Sequence, residues 1–177
     1  MTVAYQGAPG AFSHEACLRF LPDHEPVAYE SFADVVRAVD SGEAEFGMLP
    51  TSNSQAGDTG ARELIDQARL RVVDEVVLPV RMHLLAVPNA KLDQIRTVVS
   101  HPVALKQCAA TLAAMELATE ETSNTAVAAK ALTNPNRAVL ASETAAELYG
   151  LAILKRDVHD QVDNATRFAI LTKGESA

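Results

Sequence analysis

Near the carboxyl end of this 177-residue chain, Asp163-Asn164-Ala165-Thr166-Arg167-Phe168 places an amide, a hydroxyl and a guanidinium ahead of the apolar run Ala169-Ile170-Leu171. That run has the make-up of a buried strand, so the polar groups are expected at its mouth. Groups of these types in such a place can hold a small anion and hand it a proton. Polar residues also recur where other strand patterns give way to helix patterns: Gly7 to Ser13, Pro50 to Gly57, Ser100 to Pro102, Ser123 to Thr125, and Ala141 to Ser142. Several such junctions suggest helix N-termini from two lobes converging on a cleft that prefers anions.

The elements that must position these groups alternate along the chain. Val3 to Gly7 reads as a short buried strand, and Gly7-Ala8-Pro9-Gly10 as a tight loop opening onto a helix from Phe12 to Phe20. Its glycines fit neither the dinucleotide fingerprint nor the P-loop, so it is either a ligand-binding loop or a connector. Val27 to Glu30 is a second strand. Ser31 is placed to cap a helix whose Phe32, Val35, Val36 and Val39 share one face, with Gly42 closing it. Phe46 to Leu49 is a third strand ending at Pro50, and the polar run Thr51 to Gln55 is a solvated turn or, as we favour, a set of side chains facing a ligand. After a helix from Ala61 to Ala68, the extended runs Val72 to Val80 and Met82 to Val87 read as a crossover between lobes, although a hairpin would look similar.

Thr97 to Ser100 is the next strand, followed by His101-Pro102 and one helix from Ala104 to Met115. A lone His at such a junction is read first as a cap. Thr119 to Thr122 is a weak strand, Asn124 or Thr125 caps a helix through Ala131, and Arg137 to Ala141 is a strand. Ser142 caps a helix to Leu148 that Gly150 ends, and Ala152 to Leu154 with Phe168 to Leu171 complete the strands. Gly174 to Ala177 reads as a frayed end. The expected class is α/β with mixed sheets in layers.

Composition bounds the function. Hydrophobic residues at 48% and charged residues at 21% suit a folded globular chain long enough to bury a core without disulfides or metal. A formal net charge of −8 argues against nucleic acid, which needs a basic stripe, but not against an anionic small molecule. Cys17 and Cys108 form no C-x-x-C pair and no zinc spacing, there is no signal run, and no apolar run approaches membrane length. The expected location is therefore the cytoplasm.

Six motifs in order carry a family resemblance: Gly7-Ala8-Pro9-Gly10-Ala11-Phe12-Ser13; Pro50-x-x-Asn53-Ser54; Ser100-His101-Pro102-x-Ala104-Leu105-x-Gln107-Cys108; Thr125 with Ala126, Ala128 and Ala129; Ala141-Ser142-x-x-Ala145-Ala146-x-x-Tyr149-Gly150-Leu151; and Asn164-x-Thr166-Arg167-Phe168. Together they resemble the prephenate dehydratases, lyases of phenylalanine synthesis that turn prephenate into phenylpyruvate, carbon dioxide and water. The resemblance implies a two-lobed fold like the type II periplasmic binding proteins, with mixed sheets, helices on both faces and an interlobe cleft. One lobe would span about residues 1–78 plus 160–177 and the other about 79–159, in a single catalytic domain.

It also implies site residues. Thr166 would be the catalytic hydroxyl, Arg167 its neighbouring cation or a partner for a carboxylate, and Phe168 the group that excludes water and packs the ring. Ala11, Phe12, Ser13, Asn53, Ser54, Ser100, His101, Asn124, Thr125 and Asn164 would hold substrate, with no cofactor and no metal. Two departures stand out: Ser52 where the family carries glutamate, and Ala11 where it carries threonine. No ACT regulatory domain follows Phe168 in this sequence, so three readings are expected: an enzyme without that regulation, a catalytic domain cut from a longer protein at the domain boundary, or regulation supplied by a partner in trans; a homodimer is also implied. Alternatives are an arogenate dehydratase, a non-aromatising prephenate decarboxylase, and a non-catalytic sensor of an aromatic metabolite.

Overall fold

The computed structural model describes residues 1–68 and 70–174; most of the tail expected to fray lies outside the described residues. The chain opens with β1 (Thr2–Gln6), α1 (Phe12–Phe20), β2 (Glu25–Tyr29), α2 (Phe32–Ser41), β3 (Phe46–Asn53), β4 (Gly57–Asp58), α3 (Ala61–Ala68) and β5 (Arg71–Pro79). It continues through β6 (His83–Ala86), a 3-10 turn at Leu92–Gln94, β7 (Thr97–Ser100), α4 (Pro102–Gln107), α5 (Ala109–Ala114) and β8 (Ala118–Glu121). It ends with α6 (Thr125–Lys130), β9 (Arg137–Ala141), α7 (Glu143–Tyr149), β10 (Ala152–Lys155) and β11 (Ala165–Thr172). Two compact units result: Met1–Ala8, Phe12–Pro79 and the chain from Ala165 onward in the first, Pro9–Ala11 and Val80–Asn164 in the second.

The first unit holds a mixed sheet in the order β2-β1-β3-β11-β5, with β4 paired to β3. β1 runs parallel to β2 and β3, while β11 is antiparallel to both β3 and β5. Side chains alternate between two cores, as strand geometry requires. Ala4, Leu49, Ala169 and Leu171 pack with Val35, Val36 and Val39 of α2 and Ile65 of α3. Val3, Tyr5, Met48, Leu78, Phe168 and Ile170 pack with Ala16 and Cys17 of α1 on the other face. Ser31 caps α2 in a reciprocal capping box with Asp34, and Gly42 ends it at φ +80.

In the second unit the order is β10-β6-β9-β7-β8, with β7 parallel to β8 and β9, and β6 antiparallel to β9 and β10. Leu85, Val99 and Val139 pack there with Ala129 of α6 and Ala145 and Ala146 of α7. β5 and β6 thus belong to different sheets, so the two extended runs are not a hairpin.

Three local expectations are corrected. The third strand does not stop at Pro50: β3 continues to Asn53 because Thr51 is an extra residue in its pairing, Phe168 facing Pro50 and Arg167 facing Ser52. A bulge is where a sheet tolerates the missing proline N–H. The helix expected over Ala104 to Met115 is two helices broken at Cys108, with the Asp160 carboxylate accepting the Ala110 and Thr111 N–H groups at 2.9 and 3.0 Å to start the second. Finally, β11 begins at Ala165, so Thr166 lies inside the strand and not ahead of it.

Candidate active site

Thr166 pairs with Asn53 on β3 and with Leu78 on β5, and its side chain is 8% exposed. Leu78 and Phe168 face α1, so alternation puts Thr166 on that same face, at the sheet end where β1 leads toward α1. Asn53 governs the hydroxyl. Its Oδ1 accepts the N–H groups of Gln55 and Ala56, both at 2.9 Å, so its Nδ2 must turn toward β11. There it donates to Thr166 Oγ1 at 2.9 Å and to the Ala165 carbonyl at 3.2 Å. With Oγ1 serving as acceptor, the Thr166 proton is the group left to donate, and among the described residues no hydrogen bond uses it. A donor aimed at the oxygen also favours its anionic form, which makes the hydroxyl a better acid.

Ser54 braces the same turn: its N–H donates to the Ala165 carbonyl at 2.9 Å and its hydroxyl accepts the Ala165 N–H at 3.0 Å. The polar run after Pro50 is therefore strand and tight turn built around Thr166. Phe12 packs against the α1 core, and Ser13, 8% exposed, sits in the first turn of α1. Arg167 goes elsewhere. It alternates onto the α3 face, where its Nη1 lies 3.9 Å from Glu75 Oε2 and Arg62 holds the other Glu75 oxygen. The structure does not bring its guanidinium to the Thr166 hydroxyl. Phe168 is 1% exposed and is part of the core beneath Thr166.

The remaining candidates belong to the second unit. Ser100 is fully buried; its hydroxyl donates to the Leu140 carbonyl at 3.2 Å and lies 3.0 Å from Thr125 Oγ1. Counting protons, Thr125 must donate to Ser100, while Thr125 Oγ1 accepts the His101 N–H at 2.9 Å. Both hydroxyls are used to tie β7, β9 and α6 together. His101 Nδ1 and Asn124 Oδ1 cap α4 and α6, accepting from Val103 and Val127. Asn164, 3% exposed, accepts from the Val80 N–H at 2.8 Å and donates to Gln107 Oε1 at 3.1 Å. Ala11 follows Gly10 in a loop held by α7.

Gln107 was visible only as a motif position, since an amide on a helix carries no spacing signal. The bond between Asn53 and Thr166 spans 113 residues and has no local signature at all. Elsewhere, burial pushes the thiols of Cys17 and Cys108 up to about 12, and neither cysteine is in a disulfide. No group of three or more His, Cys, Asp or Glu able to hold a metal occurs among the described residues.

Two mixed α/β sheets with helices, the first carrying a buried strand threonine whose hydroxyl accepts from an amide, make up a fold shared with bacterial solute-binding proteins. A periplasmic substrate-binding protein from Coxiella burnetii superposes with a TM-score of 0.52 at 10% identity, covering 97% of this chain and 85% of its own. Family comparison is more specific: residues 3–176 match prephenate dehydratase, and the chain belongs to that family. It is 39% identical over 175 residues to arogenate dehydratase/prephenate dehydratase 2, chloroplastic, of Arabidopsis thaliana, covering 97% of this chain and 46% of that one. The quorum-quenching acylase GqqA superposes with a TM-score of 0.91 at 34% identity, over 100% of this chain and 66% of its own. The prephenate dehydratase of Arthrobacter aurescens, solved with L-Phe, gives 0.89 at 25% identity, over 99% and 61%. The chain spans about half the length of the curated relatives it matches.

Proposed function

We propose that this chain catalyses the decarboxylating dehydration of prephenate to phenylpyruvate, with Thr166 as proton donor. The observation that carries this is the hydrogen bond from Asn53 Nδ2 to Thr166 Oγ1, on a carbonyl-locked amide that leaves the threonine proton as the outgoing donor. Prephenate loses its ring carboxylate as carbon dioxide; the electron pair of that C–C bond enters the ring, and the ring C–O bond breaks. The departing oxygen takes the Thr166 proton and leaves as water, while the amide stabilises the alkoxide until a solvent proton restores it. Aromatisation supplies the driving force, so the site supplies orientation and one proton. Within this reading Phe168 supports the floor under Thr166, Arg167 secures β11 to β5 through Glu75, Ser100 and Thr125 tie β7, β9 and α6 together, and His101 and Asn124 cap α4 and α6. Ser54, Asn164 and the N–H groups of Ala11, Phe12 and Ser13 complete the proposed substrate contacts, and no cofactor or metal enters any step.

Purified protein given prephenate, arogenate and an N-acyl-homoserine lactone in parallel tests the reading, with phenylpyruvate followed by its absorbance in alkali. Prephenate is expected to give phenylpyruvate. Phenylalanine from arogenate alone would move the assignment to arogenate dehydratase, consistent with the Arabidopsis relative's name. Loss of carbon dioxide without an aromatic product would indicate a decarboxylase, for which Ser52 in place of the family glutamate is the motive. Hydrolysis of the amide alone, releasing the acyl chain from the homoserine lactone, would point to the acylase activity named for GqqA, and no turnover to a sensor. We place the protein in the cytoplasm, in keeping with two buried cysteines outside any disulfide; no described helix is long and apolar enough to cross a membrane. A homodimer is inferred from family membership and is checked by light scattering.

A further inference from the structure

The Gly10 loop is held unlike a connector. Gly10 has φ +91, and a Cβ on it would lie 3.1 Å from Tyr149 Cε2 and 3.2 Å from Ala145 Cβ. Backbone therefore lies directly on α7, where only glycine fits. Two successive carbonyls of the loop are held there: Ser142 Oγ donates to the Gly10 carbonyl at 2.9 Å, and the Tyr149 hydroxyl donates to the Pro9 carbonyl. Ser142 is 2% exposed and also caps α7, accepting the Ala145 N–H at 3.1 Å.

No peptide bond here is cis, so in each peptide plane the N–H points opposite to the C=O. Fixing the Gly10 carbonyl on Ser142 thus aims the Ala11 N–H away from α7. The geometry points to Ser142 and Tyr149 as positioning residues that orient two successive peptide planes and so present the Ala11 N–H to a carboxylate of the substrate. This rests on the dehydratase reading and adds to it the role of a motif, Ala141-Ser142-x-x-Ala145-Ala146-x-x-Tyr149, whose residues are not among the substrate contacts proposed above. A lone backbone donor that meets a carboxylate present both before and during the reaction contributes uniform binding, so its misplacement raises KM and spares kcat.

Three variants test this. Tyr149→Phe removes a loop bond and leaves the cap of α7; Ser142→Ala removes bond and cap; Ser142→Thr keeps both. KM for prephenate is expected to rise about threefold in Tyr149→Phe and about tenfold in Ser142→Ala, with kcat within about twofold, the size expected for misplacing a hydrogen bond to a charged group. Ser142→Thr should restore KM. Amide exchange at Ala11, read by mass spectrometry, should quicken in Tyr149→Phe and Ser142→Ala and return to wild type in Ser142→Thr. Unchanged exchange in Tyr149→Phe overturns the seat itself. Quickened exchange with KM unmoved, or a fall in kcat at constant KM, overturns the positioning role. Wild-type protein that turns over neither prephenate nor arogenate removes the dehydratase reading and the positioning role with it, while the exchange result still decides the seat.

Discussion

Thr166 has an oxygen already claimed by Asn53 and a proton with somewhere else to go. Thr166→Ala is therefore expected to lower kcat by about a hundredfold or more, the low end of general acid catalysis, while Thr166→Ser stays within about tenfold of wild type. Asn53→Asp keeps the oxygen that accepts from Gln55 and Ala56 but swaps the donor for a second acceptor beside Oγ1. Losing one donor at a developing anion costs on the order of a hundredfold in kcat, and KM should move little, as steady-state rates on prephenate would show. The sequence made Thr166 legible through its motif, yet it suggested Arg167 as the cation beside it. Strand alternation sends adjacent residues to opposite faces, and Glu75 waits on the other one. Ser100 and Thr125 were legible as polar, but not as already satisfied by each other and by Leu140, because that depends on tertiary neighbours.

Among the elements, β3 lies close against α2 at Gly47. A Cβ on Gly47 would meet Val39 Cγ2 at 2.9 Å and Val35 Cγ1 at 3.3 Å. Gly47→Ala should thus cost roughly 1–3 kcal/mol by overpacking, measurable as a lower urea midpoint at unchanged m-value. The elements most legible in the sequence were those with local signals: α2 between Ser31 and Gly42, α7 between Ser142 and Gly150, and α1. What escaped was decided at long range. The Thr51 bulge exists to match β11, and the break at Cys108 is held by Asp160, a carboxylate about fifty residues away. Burial opposes ionisation of Asp160, but the bonds from Ala110, Thr111 and the Thr111 hydroxyl outweigh it and hold its pKa low.

For the molecule as a whole, acid is the predictable stress. His83 is 1% exposed, and its Nδ1 accepts the Asp157 N–H at 3.0 Å, so it is held neutral. Burial lowers its pKa; Asp157 and Glu143 oppose this, while Arg156 and Arg81 reinforce it. His14, stacked on Tyr5, is likewise lowered by burial. A base whose folded pKa lies below its unfolded value takes up protons on unfolding, so stability is full above about pH 6.5 and is lost progressively as pH falls toward the folded values. Urea midpoints should therefore drop on acidification below about pH 6.5, with a flatter profile in His83→Gln. Where the chain leaves the first sheet, Pro79 lies opposite Ala165, and the next residues, Val80 and Asn164, are joined by a 2.8 Å hydrogen bond. Residues 80–164 are thus an insertion whose two ends are adjacent. A short turn joining 79 to 165 would close an antiparallel hairpin of β5 and β11, making the chain a natural candidate for cassette exchange at that seam.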